Sequence, residues 1–285
     1  MAKADVTTRL RRIEGKHNAL VKELRQAFAR AELTASGECA IEGFRIIEEA
    51  IRSGLRLRAV FVSESGQGRA VRLLPQIGSH SETLLLPDRL FASVVPSETP
   101  QGVAALVQIK KLKVDDVLQN EVPLLVLAGI QDPGNLGTIF RSAEAFGAGG
   151  ILLAEGTVSA YNSKTVRASA GSVFRVMMAK VQTPDAIVQL RAKGFRLLAT
   201  SSHKGTLLAD SDLSRKIAVF IGNEGSGLDK KLLAHMDELI TISHSPRVES
   251  LNAGIAASII LYEAAQKRAT ELHEHLQTRV SSEAR

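Results

Sequence analysis

Three short stretches of the chain combine glycine with side chains able to hold or orient a reacting group. The first runs from Ile130 through Asp132-Pro133-Gly134-Asn135-Leu136-Gly137 to Arg141. Asp-Pro-Gly is turn chemistry. Asn135 is placed to cap a helix with its side-chain oxygen, and Gly134 and Gly137 let backbone approach a ligand closely. Arg141, one helical turn beyond Gly137, can reach the same crevice. The second stretch, Gly222-Asn223-Glu224-Gly225-Ser226-Gly227, follows the apolar run Ile217–Ile221. Its glycine order is neither the dinucleotide fingerprint nor a phosphate loop ending in Gly-Lys-Ser/Thr, which argues against a nucleotide-dependent oxidoreductase. A carboxylate in such a turn needs donors, and Arg141 is a candidate for Glu224. The third runs from Ile242 through His244, Pro246 and Glu249-Ser250-Leu251-Asn252 into the small run Ala253–Ser258. Ser250 is placed to cap the following helix, and the small residues permit close packing. Taken singly, the first and third stretches read more readily as a capped helix and a tightly packed core helix without a ligand, and the second reads equally well as a tight turn without one.

Something must bring these stretches together. Apolar runs at 122–129, 150–154, 175–180, 196–200, 217–221 and 239–242 alternate with helical stretches at 137–146, 164–170, 185–193, 230–234 and 251–267. Near-continuous apolar strands between helices predict an α/β fold with a largely parallel sheet covered on both faces. Ligands of such sheets bind at the carboxyl ends of strands, where the three stretches begin. Upstream, helices are expected over about 6–32 and 41–53, with strands at 58–63, 83–86 and 102–109. The polar run 111–121 reads as a linker between a domain over 1–110 and one over 122–270, with 271–285 as a tail.

Composition narrows the functional classes. Of 285 residues, 45% are hydrophobic and 23% charged, a globular balance. No apolar run approaches the ~20 residues that span a bilayer, and no secretory signal is evident at the N-terminus. The single cysteine, Cys39, excludes an internal disulfide and fits a reducing cytoplasm. No metal-ligand spacing is found. The net charge is +6, and residues 1–30 carry eight basic against three acidic side chains. Such a cluster attracts polyanions. Scarce aromatics (4%, no Trp) argue against a single-strand binder built on stacking.

Taken in order, N-L-G-T-I-F-R-S-A-E-A-F-G, I-G-N-E-G-S-G-L and V-E-S-L-N-A-G-I-A-A resemble the SpoU (TrmH) family of RNA ribose 2′-O-methyltransferases, of the SPOUT superfamily. Tyr161–Gly171 also looks like a family segment. The resemblance covers about 120–268. More weakly, residues 1–110 resemble the L30e-like substrate-binding domain often placed before it, through Gly37–Ala50 and Thr99–Val103. The resemblance implies a SPOUT-type sheet with a C-terminal trefoil knot, S-adenosylmethionine as cofactor, a homodimer, and structured RNA as substrate, ribosomal RNA ahead of tRNA. It implies catalytic roles for Arg141, Asn135, Glu224, Ser250 and Asn252, and cofactor contacts at Thr200, Gly222, Ile242 and Leu251. Ser243-His244-Ser245-Pro246 departs from the Pro-Met and Gly that the family commonly has there. The competing reading is a non-catalytic RNA-binding or ribosome-assembly protein that kept the fold.

Overall fold

The computed structural model describes residues 10–283 except 215, 224 and 226, with backbone only at 272 and 274–283. The chain forms two compact units. One comprises residues 1–111 and 159–175, the other residues 112–158 and 176–285.

The first unit contains β1 (Arg11–Arg12), α1 (Ala19–Arg30), β2 (Glu38–Glu42), α2 (Phe44–Arg52), β3 (Leu57–Ser63), α3 (Gln67–Ala70), β4 (Glu82–Leu86), α4 (Asp88–Ala92) and β5 (Val103–Gln108). Its five-stranded sheet has the order β1-β4-β3-β5-β2. β1, β4 and β3 are parallel, and β5 is antiparallel to both β3 and β2. Leu20, Val21, Leu24 and Ala27 of α1 pack on Phe61, Leu84, Leu86, Phe91 and Leu106.

Two expectations are corrected here. The helix predicted over 6–32 starts only at Ala19; residues 1–9 lie outside the described residues. Asn18 ends the preceding segment by accepting from the amides of Leu20 and Val21 at 3.0 and 3.4 Å. Before it, Arg11 and Arg12 pair with Leu84 and Leu85 of β4, and their charges are met by Glu82, Glu14 and Glu64. The helix predicted from Ile41 begins only at Phe44, after strand β2. Glu38 and Glu42 of this strand are buried. Arg58 and Thr34 meet Glu38, and Ser97 donates to Glu42 at 2.6 Å. Gly43, at φ +101°, makes the break that a side chain would resist.

The second unit contains α5 (Val114–Val117), β6 (Leu124–Leu127), α6 (Pro133–Ala145) and β7 (Gly150–Leu153); α7 (Ser163–Ala168) belongs to the first unit. Then follow β8 (Met178–Lys180), α8 (Thr183–Ala192), β9 (Arg196–Thr200), β10 (Thr206–Leu207), β11 (Ile217–Ile221), α9 (Lys230–Leu233), β12 (Glu238–Thr241) and α10 (Ala253–Glu283). Its seven strands run β10-β12-β9-β11-β6-β7-β8, every pairing parallel. Central strands β6 and β11 are buried at every position, as a sheet covered on both faces requires. Val117 and Leu118 are buried in this unit's core, so the polar run between the predicted domains carries a short packed helix. α10 continues through the stretch expected to be a tail.

Candidate active site

Because all seven strands are parallel, the loops after β6, β9, β11 and β12 leave the same edge of the sheet. Between the last three lies a cavity of about 410 Å³, within the roughly 300–1,000 Å³ typical of small-molecule sites. Thr200, Gly222, Ile242, Ser250 and Leu251 all line it. Ile221, Ile240 and Ile260 supply apolar wall; Ser201, Ser202 and Glu249 supply polar groups. Thr200 Oγ1 donates to the Phe220 carbonyl at 3.2 Å, fixing the end of β9 against β11. A Cβ on Gly222 would come within 2.6 Å of the Leu228 backbone nitrogen, so this turn closes only with glycine.

The loop after β11 is held by Asn223. Its Nδ2 donates to the Gly129 carbonyl at 2.9 Å, and its Oδ1 accepts from the Gly225 amide at 2.8 Å. One side chain thus ties the second motif to the first, a role not assigned from sequence, where Asn223 read as a turn residue. Glu224 lies outside the described residues.

Beside the cavity, α6 and α10 meet along a seam of small and polar residues. Asn252 Nδ2 donates to Asn135 Oδ1 at 2.8 Å. One turn on, a Cβ on Gly254 would lie 3.2 Å from Thr138 Cβ. Further along, the hydroxyls of Ser142 and Ser258 are 2.6 Å apart. The Ala253–Ser258 run is small because the two backbones approach here. Arg141 stands one turn beyond Thr138 on the flank of this seam. It is exposed, and its guanidinium makes no hydrogen bond or ion pair with another described residue.

Both capping assignments move. The first cap of α6 is Asp132, which accepts from the Asn135 amide at 2.7 Å with Pro133 in the first turn. Proline there is preset for helix, so Asn135 lies inside the first turn and its carboxamide is turned to Asn252. The cap of α10 is Asn252, whose Oδ1 accepts from Gly254 and Ile255 at 3.0 and 3.2 Å. Ser250 is left to the cavity wall. Cys39 is fully buried in the other unit, and burial pushes its thiol up to about 12, which removes it as a nucleophile.

The donor set suits an adenosyl amino acid: apolar faces for a purine, hydroxyls and a carboxylate for ribose and ammonium, and a glycine turn that brings backbone to the ligand.

Comparison with known proteins gives the same answer. The family model described as the SpoU rRNA Methylase family matches residues 123–262, and the MRM3-like substrate binding domain matches residues 18–105. The 23S rRNA (guanosine(2553)-2′-O)-methyltransferase RlmP of Bacillus subtilis is 30% identical over 253 residues, covering 89% of this chain and 98% of that protein. The 23S rRNA (uridine(2479)-2′-O)-methyltransferase of Streptomyces viridochromogenes is 31% identical over 247 residues, 84% and 86% of the two chains. Among solved structures, the AdoMet-bound rRNA methyltransferase of Sinorhizobium meliloti aligns with a TM-score of 0.77 at 28% identity, covering 90% of this chain and 98% of that one. Motifs, family model and relatives agree, and the chain belongs to the SpoU family of S-adenosylmethionine-dependent RNA 2′-O-methyltransferases.

Proposed function

We propose that this enzyme methylates a ribose 2′-hydroxyl of ribosomal RNA, with the cofactor held in the 410 Å³ cavity and the ribose presented beside it at the Asn135–Asn252 contact. The observation that carries this reading is that contact: two carboxamides 117 residues apart meet at 2.8 Å next to the cavity and to an exposed arginine. S-adenosylmethionine, when bound, supplies an electrophilic methyl group on a sulfonium. Thr200, Gly222, Ile242 and Leu251 would hold it. With its planar fork of donors matched to phosphate oxygens, Arg141 acts as an anion holder. It grips a phosphate of the RNA and stabilises charge developing on the 2′-oxygen. Asn135, fixed by Asn252, positions the ribose. Ser250 closes the pocket, and Glu224 orients Arg141 or a group of a partner chain.

The relatives' names favour ribosomal RNA over tRNA. The first unit, with exposed Arg45, Lys164 and Arg167, selects the RNA. A homodimer is supported by α10, where Ile255, Ile259 and Tyr262 are 52, 36 and 49% exposed and recur at one-turn spacing. Among the described residues no helix is long and apolar enough to cross a membrane, and we place the enzyme in the cytoplasm.

The test is transfer of labelled methyl to deproteinised ribosomal RNA and tRNA. Wild-type protein should label ribosomal RNA. Arg141→Ala should lower turnover about 10²–10³-fold, the scale of losing one charge-stabilising donor, while binding S-adenosylhomocysteine normally. Full activity in Arg141→Ala would remove Arg141 from the mechanism.

A further inference from the structure

One buried polar atom in the cavity wall is unused by the roles assigned so far. His244 lines the cavity, and its Nδ1 is 2.7 Å from the Ile242 carbonyl. A carbonyl only accepts, so Nδ1 carries the hydrogen, and in the neutral ring Nε2 is an acceptor. Nε2 is buried with no hydrogen-bond partner among the described residues. The ring orientation is set from a second side by His203, another cavity residue, whose ring centroid is 5.4 Å away at a tilt of 31°. A buried acceptor without a partner is costly, so the atom points to a ligand that brings a donor.

The sheet order says which donor. Strands run β12-β9-β11-β6 and are spaced by about 4.8 Å. The loops carrying His203 and His244 leave β9 and β12, so they start roughly 10–15 Å from the strand that launches Asn135 and Arg141. In S-adenosylmethionine the ribose and the ammonium arm both join at the sulfonium that bears the methyl group. They must therefore stay near the transfer site. The exocyclic amine of the adenine is the donor farthest from it along the molecule. We infer that His244 Nε2 accepts a hydrogen bond from that amine and makes the site selective for adenine over its deaminated counterpart. This rests on the methyltransferase reading above. It also gives a function to the position where the chain departs from the family's usual third loop.

The experiment measures binding, by calorimetry, of S-adenosylhomocysteine and S-inosylhomocysteine, in which a carbonyl oxygen replaces the amine. Wild-type protein should prefer the adenosyl ligand by about tenfold or more, the worth of one buried hydrogen bond and its unpaired acceptor. His244→Leu should lose most of that preference, and His244→Gln, which keeps an acceptor, should retain most of it. In imidazole ¹⁵N spectra of the wild type, the His244 Nε2 resonance should move on binding the adenosyl ligand and not the inosyl one. This reading remains available if the leucine variant fails to fold. An unchanged preference in His244→Leu, or an unmoved Nε2 resonance, overturns the role of His244 and leaves the enzyme reading standing. Failure of the wild type to bind either ligand overturns both.

Discussion

At the scale of single residues, Asn252 does two jobs with one carboxamide. Its oxygen caps α10 through Gly254 and Ile255, and its nitrogen holds Asn135. The two are separable. Asn252→Asp keeps a capping acceptor, and aspartate is as good a cap as asparagine. It replaces the donor facing Asn135 with a second acceptor. The melting temperature should stay near wild type while methyl transfer falls at least about tenfold, as expected for a displaced positioning group. Asn252→Ala should lose about 1 kcal/mol of stability as well. Equal loss of stability in both variants would show that the contact with Asn135 is structural only. The identities of these residues were legible in the sequence; their partners were not. A contact between residues 135 and 252 leaves no periodic trace, and nothing in Asp132-Pro133-Gly134-Asn135 taken as a turn tells which side chain caps and which reaches across.

At the scale of elements, the seam between α6 and α10 is a close backbone approach with no room for branching. Gly254→Val would drive two methyl groups toward Thr138, already 3.2 Å from where a Cβ would stand. The expected cost is about 1–3 kcal/mol, read as a lower denaturation midpoint, with activity lost in parallel because Asn252 heads the same helix. The start of strand β12, at Asp237 and Glu238, carries a different liability. Burial pushes the carboxyl of Asp237 up, but bonds from the Leu197 amide and Arg191 outweigh it and hold it below its usual range. Glu238 is likewise lowered against burial, by Thr206, Arg196 and Ser211. A depressed folded value means stabilisation that is complete above the unfolded values, near 3.9 for Asp and 4.3 for Glu. It is lost as pH falls below them. Between pH 5 and 3, Asp237→Asn should therefore lose less melting temperature than wild type does. The strands of the second unit were readable because a sheet covered on both faces writes uninterrupted apolar runs. β2 was not, since two glutamates in five residues look solvent-facing until Arg58, Thr34 and Ser97 are seen to meet them. β10, two residues long, carries too little pattern to find.

At the scale of the molecule, the exposed stripe Ile255, Ile259 and Tyr262 follows directly on the α10 cap. A partner covering it would therefore stand beside the site. Ile259→Glu should convert a dimer to a monomer in light scattering, and transfer should fall with it if the sites are built from both chains. A wild-type monomer at working concentration would count against the shared site.

The interleaving of the two units has a consequence for how this protein could be taken apart. The chain passes from one unit to the other after Lys111, again after Val158 and again after Arg175. In the first unit Arg175 donates to Glu49 and Ser53 at 3.0 and 2.9 Å, and Gly171, at φ +94°, lies against the stem of Glu49. The substrate-binding unit is therefore assembled from two stretches separated in sequence by part of the catalytic unit. A fragment starting at residue 112 would keep the second stretch and lose the first. Trimming the gene to its methyltransferase motifs would leave residues 159–175 without Glu49 and Ser53, and a clean cut between two independently heritable modules does not exist in this chain.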